Sequence, residues 1–271
     1  MVGPKARAGR IPSGVDALNA APVLAAESVT VRFGPLVAVN QVSIDVEAGR
    51  TVSLIGPNGA GKTTLLNTIS GFLPAATGTL RIDGQDVSSL RSHERSQRGI
   101  RRTFQHAKVS DALSVMENVL VGASLQGYPW TLFGEWLRLP RSGARMRRDR
   151  EAAMSLLELL GIADTADVPV GALSFGRKKM VDLARALMTP PRLLLMDEPT
   201  AGMSEPEVET LAHLMSRIQP DTAILVVAHH MGFVAKVAHK VVCLVAGQII
   251  ASGTPREVQA DPRVLAAYMG T

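Results

Sequence analysis

The stretch Gly56-Pro-Asn-Gly-Ala-Gly-Lys-Thr63 has a spacing that suits phosphate chemistry. It fits G-x-x-x-x-G-K-[ST], in which a turn of backbone N–H groups wraps an anionic phosphate that a Cβ would obstruct. Gly56, Gly59 and Gly61 permit the turn. Lys62 supplies a positive charge for the β- and γ-phosphates, and the Thr63 hydroxyl an oxygen for Mg²⁺. Farther along, Asp197 and Glu198 follow one apolar run and His229 follows another. Asp197 reads as the carboxylate on the Mg²⁺ side of a nucleotide. Glu198, beside it, reads as a general base or water-positioning group. Two consecutive carboxylates at a buried strand tip are costly unless a cation is present. His229 is placed to donate to a γ-phosphate.

These residues need a scaffold, and the flanking pattern supplies one. Thr51-Val-Ser-Leu-Ile55 reads as a buried strand. Thr63 to Ser70, with Leu65, Leu66 and Ile69 at helical spacing, reads as a helix whose positive N-terminus faces the phosphates. Arg192-Leu-Leu-Leu-Met196 and Ala223-Ile-Leu-Val-Val-Ala228 are near-continuous apolar runs of the kind that form central parallel strands. In an open α/β sheet ligands bind at the carboxyl ends of strands, so the tips at Gly56, Asp197 and His229 should converge on one nucleotide.

The rest of the chain frames that core. Residues 1 to 22 are rich in Gly, Pro, Ala and Arg without periodicity and read as a disordered extension. Val29 to Phe33, Val37 to Val39 and Val42 to Val46 are strand-like, the last alternating as an antiparallel strand with one wet face. Phe33 is the aromatic available to stack on an adenine, or a core residue at a strand end. Thr79 to Gly84 reads as a short strand. Val109 to Gly122 has helical spacing, as does Arg145 to Gly161. Leu173-Ser-Phe-Gly-Arg opens a helix running to Met188, with Ser174 as its cap. A helix from Glu205 to Gln219, another around Gly232 to His239, strands at 241–245 and 248–251, and a helical tail from Pro255 to Tyr268 complete the pattern. Tyr128 to Pro140 holds both tryptophans and reads as a partner-docking insertion or as an insertion folded back on its own domain.

Composition narrows the class. The chain is 46% apolar and 20% charged, as a globular protein is, with aromatics at 4%, too few for a base-stacking platform. Its net charge of +5 is concentrated in Arg91 to Arg102 and Arg138 to Arg150. Such clusters suit a solvated face or a membrane-side surface, and no nucleic-acid partner is expected. No apolar run reaches the ~20 residues needed to cross a bilayer. The single cysteine, Cys243, lies in an apolar run and reads as a small buried strand residue.

The ordered set of Gly56 to Thr63, Gln105, Leu173-Ser-Phe-Gly-Arg, Leu193 to Thr200 and His229 resembles the nucleotide-binding subunit of an ABC transporter across residues 24 to 270. Arg102-Thr-Phe-Gln105-His, Glu198-Pro-Thr-Ala-Gly-Met and the closing Ala267-Tyr-Met-Gly270 resemble the ATPase subunits of branched-chain amino-acid importers. The resemblance implies an α/β fold. It would have a P-loop NTPase core with a mostly parallel sheet, an antiparallel β subdomain and a helical signature subdomain at about 106–190, all within 23–271. It implies that Phe33 stacks on adenine and that Gly56, Pro57, Asn58, Gly59, Ala60, Gly61, Lys62, Thr63 and Thr64 cradle the phosphates of ATP. Gln105 would sense Mg²⁺ and the attacking water. Ser174 and Gly176 would cap the γ-phosphate held by a second ATPase subunit, alike or different. Asp197, Glu198 and His229 would be metal carboxylate, base and switch histidine.

The implied partners are membrane permease subunits, docked near Gln105 to Val121, and indirectly a solute-binding protein, with this subunit peripheral on the cytoplasmic face of the inner membrane. The cargo expected is a branched-chain amino acid or a related small amide. The alternatives are a lipid-linked export system and a soluble ATP-switched protein. Arg177, Ser204 and His230 depart from the usual pattern, with no role assigned to His230.

Overall fold

The computed structural model describes residues 21–105, 107–123 and 140–269, so the disordered extension expected at 1–22 and the insertion at 128–140 fall almost wholly outside the described residues. The chain begins with strands β1 (Leu24–Phe33), β2 (Leu36–Val46) and β3 (Thr51–Ile55), then helix α1 (Lys62–Ile69). Next come β4 (Thr77–Ile82), β5 (Gln85–Asp86), α2 (Ser92–Gln97) and β6 (Ile100–Thr103). Helices α3 (Val115–Ala123), α4 (Pro140–Leu159) and α5 (Phe175–Leu187) separate β6 from β7 (Leu193–Asp197). The chain closes with α6 (Glu205–Ile218), β8 (Ala223–Val227), α7 (Met231–Val237), β9 (Lys240–Val245), β10 (Gln248–Gly253), α8 (Pro255–Ala260) and α9 (Pro262–Met269).

The strands form two sheets. An antiparallel sheet has the order β2-β1-β4-β5, and the larger sheet has the order β10-β9-β3-β8-β7-β6. In the larger sheet the pairs from β9 to β6 are all parallel and only β10 is antiparallel. The α/β expectation holds. The apolar runs are buried on both faces, and alternate residues serve different cores. Leu194, Met196, Ile224 and Val226 face the helical side, whereas Leu193, Leu195, Leu225 and Val227 face α1 and the antiparallel sheet. Period-two side chains on a strand covered on both sides produce this split. Full burial of each such side chain is worth ~1.5–3 kcal/mol. Cys243 is buried on β9, as its run predicts.

Four expectations need correction. The segments at 37–39 and 42–46 are one strand, bent where Gln41 takes a φ of 50°. Helix α3 begins at Val115 rather than Val109, because Ser114 and Glu117 close a reciprocal cap: the Ser114 N–H donates to Glu117 Oε2 at 2.8 Å and the Glu117 N–H to Ser114 Oγ at 3.1 Å. The tail is two helices, broken between Asp261 and Pro262.

The fourth concerns charge. Arg145, Arg147, Arg148 and Arg150 do form a solvated face, but Arg95, Arg101 and Arg102 are buried. Arg95, at 2% exposure, donates to the carbonyls of Thr68, Ile69, Leu90 and Ser88. A helix end leaves orphan carbonyls, and here a guanidinium satisfies those of α1.

Candidate active site

Strands β3, β8 and β7 lie side by side, so their carboxyl ends open at one edge of the sheet. The loop from Gly56 to Gly61 leaves β3 and enters α1, whose N-cap Gly61 carries no side chain to satisfy the first amides. A helix start left uncapped in this way suits an anion. Lys62 is 6% exposed, and its Nζ donates to the carbonyls of Gly56 at 2.9 Å and Pro57 at 2.8 Å. Burial lowers its pKa, and the nearby Glu198 and Asp197 oppose that shift. The ammonium is thus held across the loop beside the place where a phosphate charge would sit.

The loop glycines divide into two kinds. A Cβ on Gly56 would lie 2.0 Å from the Leu244 carbonyl oxygen, and one on Gly61 would lie 2.3 Å from that of Ala38. Both have positive φ, 144° and 99°. Their lack of a side chain is demanded by the backbone beneath the loop. Gly59, at φ 76°, has nothing within 4 Å of a Cβ, so its open face is the one left for a ligand.

The two carboxylates are each held by two partners. Thr63 Oγ1 donates to Asp197 Oδ1 at 3.4 Å, and Arg102 Nη2 donates to Asp197 Oδ2 at 3.2 Å. Burial pushes the Asp197 carboxyl up, with Arg102 pulling against it. Gln105 Nε2 donates to Glu198 Oε2 at 3.2 Å, and His229 Nε2 lies 3.0 Å from Glu198 Oε1. Consecutive residues on a strand point to opposite faces. Glu198 escapes that alternation by taking a left-handed φ of 48° just past β7. That conformation costs a non-glycine residue ~1–2 kcal/mol, and α5 helps to hold it. Lys179, 5% exposed, donates its Nζ to the Glu198 carbonyl at 2.5 Å. One turn on, Asp182 accepts the Phe104 N–H at 3.2 Å, next to Gln105. Residues three apart share a helix face, so one face of α5 braces both walls of the site.

Thus Lys62, Thr63, Asp197, Glu198, Gln105 and His229 are brought together. Phe33 sits apart at the β1–β2 turn, 48% exposed, so it is not a core residue. Ser174 caps α5 by accepting the Arg177 N–H at 3.3 Å, and Gly176 packs on the Glu207 carboxylate. Among the described residues no hydrogen bond or ion pair joins Ser174 or Gly176 to the loop at 56–64.

Several contributors, Lys179, Asp182 and Arg102 among them, were not legible as site or cap residues. The Gly56 N–H donates to the hydroxyl of Tyr268 on α9 at 2.8 Å, across 212 positions of sequence. His230 caps α7, its Nδ1 accepting the Phe233 N–H at 3.2 Å. Ser204 caps α6 with Glu207, whose Oε2 accepts from the Ser204 N–H and hydroxyl at 2.7 and 2.9 Å. Arg177 pairs with Asp164 at 3.3 Å.

The family described as "ABC transporter" matches residues 39–201, from β2 through the P-loop, the α5 entry and the two carboxylates. The chain belongs to the ABC transporter family. A second family, "Branched-chain amino acid ATP-binding cassette transporter", matches residues 248–271. Among curated relatives, the high-affinity branched-chain amino acid transport ATP-binding protein BraF of Pseudomonas aeruginosa is 35% identical over 92% of this chain and 98% of its own. LivG of Escherichia coli, similarly described, is 33% identical over the same shares. Two solved ATP-binding cassettes of ABC transporters cover 92% of this chain. One is nucleotide-free, with TM-score 0.80 and 31% identity over its whole length; the other is in an ADP conformation, with TM-score 0.79 and 30% identity over 99% of it. The cassette is a nucleotide-binding ATPase subunit of a transporter, which implies membrane permease partners. Among its described residues no helix is long and apolar enough to cross a membrane.

Proposed function

We propose that this cassette hydrolyses ATP to drive import of branched-chain amino acids or related small amides. The observation that carries the reading is the pairing of a complete P-loop and carboxylate site with a C-terminal segment, 248–271, that matches the branched-chain family. That segment reaches the site through Tyr268 on Gly56.

The loop amides beyond Pro57, up to Thr64, take the phosphates, with Gly56 and Pro57 shaping the turn, and Lys62 exchanges its two carbonyl partners for phosphate oxygens. Phe33 stacks on the adenine. Glu198 accepts the proton of the attacking water, held between Gln105 and His229 so that its carboxylate is oriented before substrate arrives. Ser174 and Gly176, at the N-terminal end of α5, serve the γ-phosphate of a second ATPase subunit in a head-to-tail pair. The donor set fits Mg²⁺. Thr63 Oγ1 and Asp197 Oδ1 are neighbouring hard oxygens, and no group of three or more His, Cys, Asp or Glu is available among the described residues. Mg²⁺ characteristically takes one or two protein oxygens plus phosphates and water. When bound, it would neutralise phosphate charge.

The permease docks in a groove of about 390 Å³ whose lining includes Phe72, Phe104, Arg102, Val121 and Arg185. Phe72 is 53% exposed there. The cassette then works peripherally on the cytoplasmic face of the inner membrane, with a solute-binding protein supplying the permease.

The test is uptake of labelled leucine, urea and short amides in cells with and without the gene. Wild type restores leucine uptake and Glu198→Gln does not. In the purified subunit Glu198→Gln keeps ATP affinity while turnover falls ~10²–10⁴-fold. Turnover at the wild-type rate removes Glu198 from the role of base. Leucine uptake unaffected by loss of the gene would replace the cargo.

A further inference from the structure

Arg102, which lines the groove and holds Asp197, makes three hydrogen bonds through its guanidinium beside the site. Its side chain is 7% exposed. Nη1 donates to Asn67 Oδ1 at 2.6 Å and Ser70 Oγ at 2.8 Å, both at the C-terminal end of α1. Nη2 donates to Asp197 Oδ2. Its carbon Cζ lies 5.0 Å from the Phe104 ring centroid and 5.7 Å from that of Phe72, two rings that meet edge to face at 5.7 Å. All three side chains line the groove. Among the described residues the buried Nε–H has no hydrogen-bond partner. Burial penalises a guanidinium and an orphan donor alike, so packing alone would favour an apolar side chain here.

We propose that Arg102 is a positioning residue that fixes the Asp197 carboxylate for the metal and links it to the groove. Oδ2 is anchored by Arg102, which leaves Oδ1 turned to the Thr63 hydroxyl as the pair of hard oxygens. The anchor is set from the groove side by Phe72 and Phe104, which meet each other edge to face and pack together against the guanidinium. A group seated against Phe72 presses on the same side chain that orients Asp197. The link to the groove rests on the docking reading above; the anchoring of Asp197 does not.

The probe is Mn²⁺ in the presence of ADP, with the isolated subunit and equilibrium binding followed by electron paramagnetic resonance. Partners that orient a metal ligand typically control ~10–100-fold in metal affinity. Arg102→Met is expected to weaken Mn²⁺ by that order while metal-free ADP affinity stays within about twofold, because the loop amides and Lys62 are untouched. Asn67→Ala with Ser70→Ala keeps the arginine but frees it, and serves if Arg102→Met does not fold; a loss of ~3–10-fold is expected. Mn²⁺ affinity at the wild-type level in these variants overturns the anchoring. Phe72→Ala, at an exposed side chain, should also weaken Mn²⁺ without any permease present. If it has no effect while Arg102→Met does, the link to the groove is overturned. Failure of the docking reading shows separately, as Phe72→Ala leaving assembly with the permease unchanged.

Discussion

Two lysines are buried beside the same pair of carboxylates, and they do different work. Lys62 at the head of α1 and Lys179 on α5 are 6% and 5% exposed. In both, burial lowers the pKa and Glu198 and Asp197 oppose it. Lys62 spends its donors on two carbonyls of a loop that faces outward. Lys179 donates to the carbonyl of a residue held in a left-handed turn, and its ammonium lies 5.2 Å from the Phe175 ring centroid. One cation is parked where a ligand can claim it, and the other is locked into scaffold. What separates them is the acceptor: Lys62 bonds carbonyls of an outward-facing loop, whereas Lys179 bonds the carbonyl of a residue held at a left-handed φ.

The largest effect that could break this contrast is on binding. Lys62→Ala should weaken ATP ~10²-fold, the scale of a charge-assisted hydrogen bond to phosphate. Isothermal titration giving unchanged affinity would end the phosphate role. The same contrast exists within the loop. Gly61→Ala drives a Cβ into the Ala38 carbonyl and should cost ~3 kcal/mol of stability in urea unfolding. Gly59→Ala meets no neighbour and should cost ~1 kcal/mol, the left-handed penalty alone. Equal losses would mean that the underside of the loop is not what selects glycine.

For the second lysine, Lys179→Met should leave ATP affinity within about twofold while kcat falls ~10-fold, as Glu198 loses its fixed backbone. The Tm should not fall in proportion, because an uncompensated burial penalty leaves with the charge. A rise in KM with kcat unchanged would make Lys179 a binding residue like Lys62 and dissolve the comparison.

The smallest effect lies in pH. Burial raises the Asp197 carboxyl above its ordinary 3.8, and Arg102 opposes the rise. An acid with a raised value in the folded state stabilises the fold below its unfolded value and loses that contribution as pH rises through the folded value. The stability of wild type relative to Asp197→Asn should therefore decline as pH climbs from about 4 toward neutrality. The opposite slope in urea unfolding would mean that Arg102, not burial, governs the carboxyl.

Much of the core of the site could be read from local pattern. The P-loop is contiguous, and β7 and β8 announce themselves as apolar runs ending in Asp197 and before His229, because a strand buried on both faces reads as a near-continuous apolar run. Other parts resisted reading. Arg95 and Arg102 look like members of a solvated basic run, since their acceptors at Thr68, Ile69, Asn67, Ser70 and Asp197 are remote in sequence. His230 looked idle because its work is a cap, visible only once α7 begins at Met231.

By itself the sequence determined the chemistry on offer: a phosphate loop, two carboxylates and a histidine, each at the end of a strand whose apolar period could be counted. Tertiary structure alone decided what holds them. Strand order placed β3, β8 and β7 side by side, α5 supplied Lys179 and Asp182 as braces, and α9 brought Tyr268 to Gly56. The reason is one of range. Periodicity and turn geometry are set by neighbours a few residues away, whereas a buried donor finds its acceptor wherever packing puts one, at any separation along the chain.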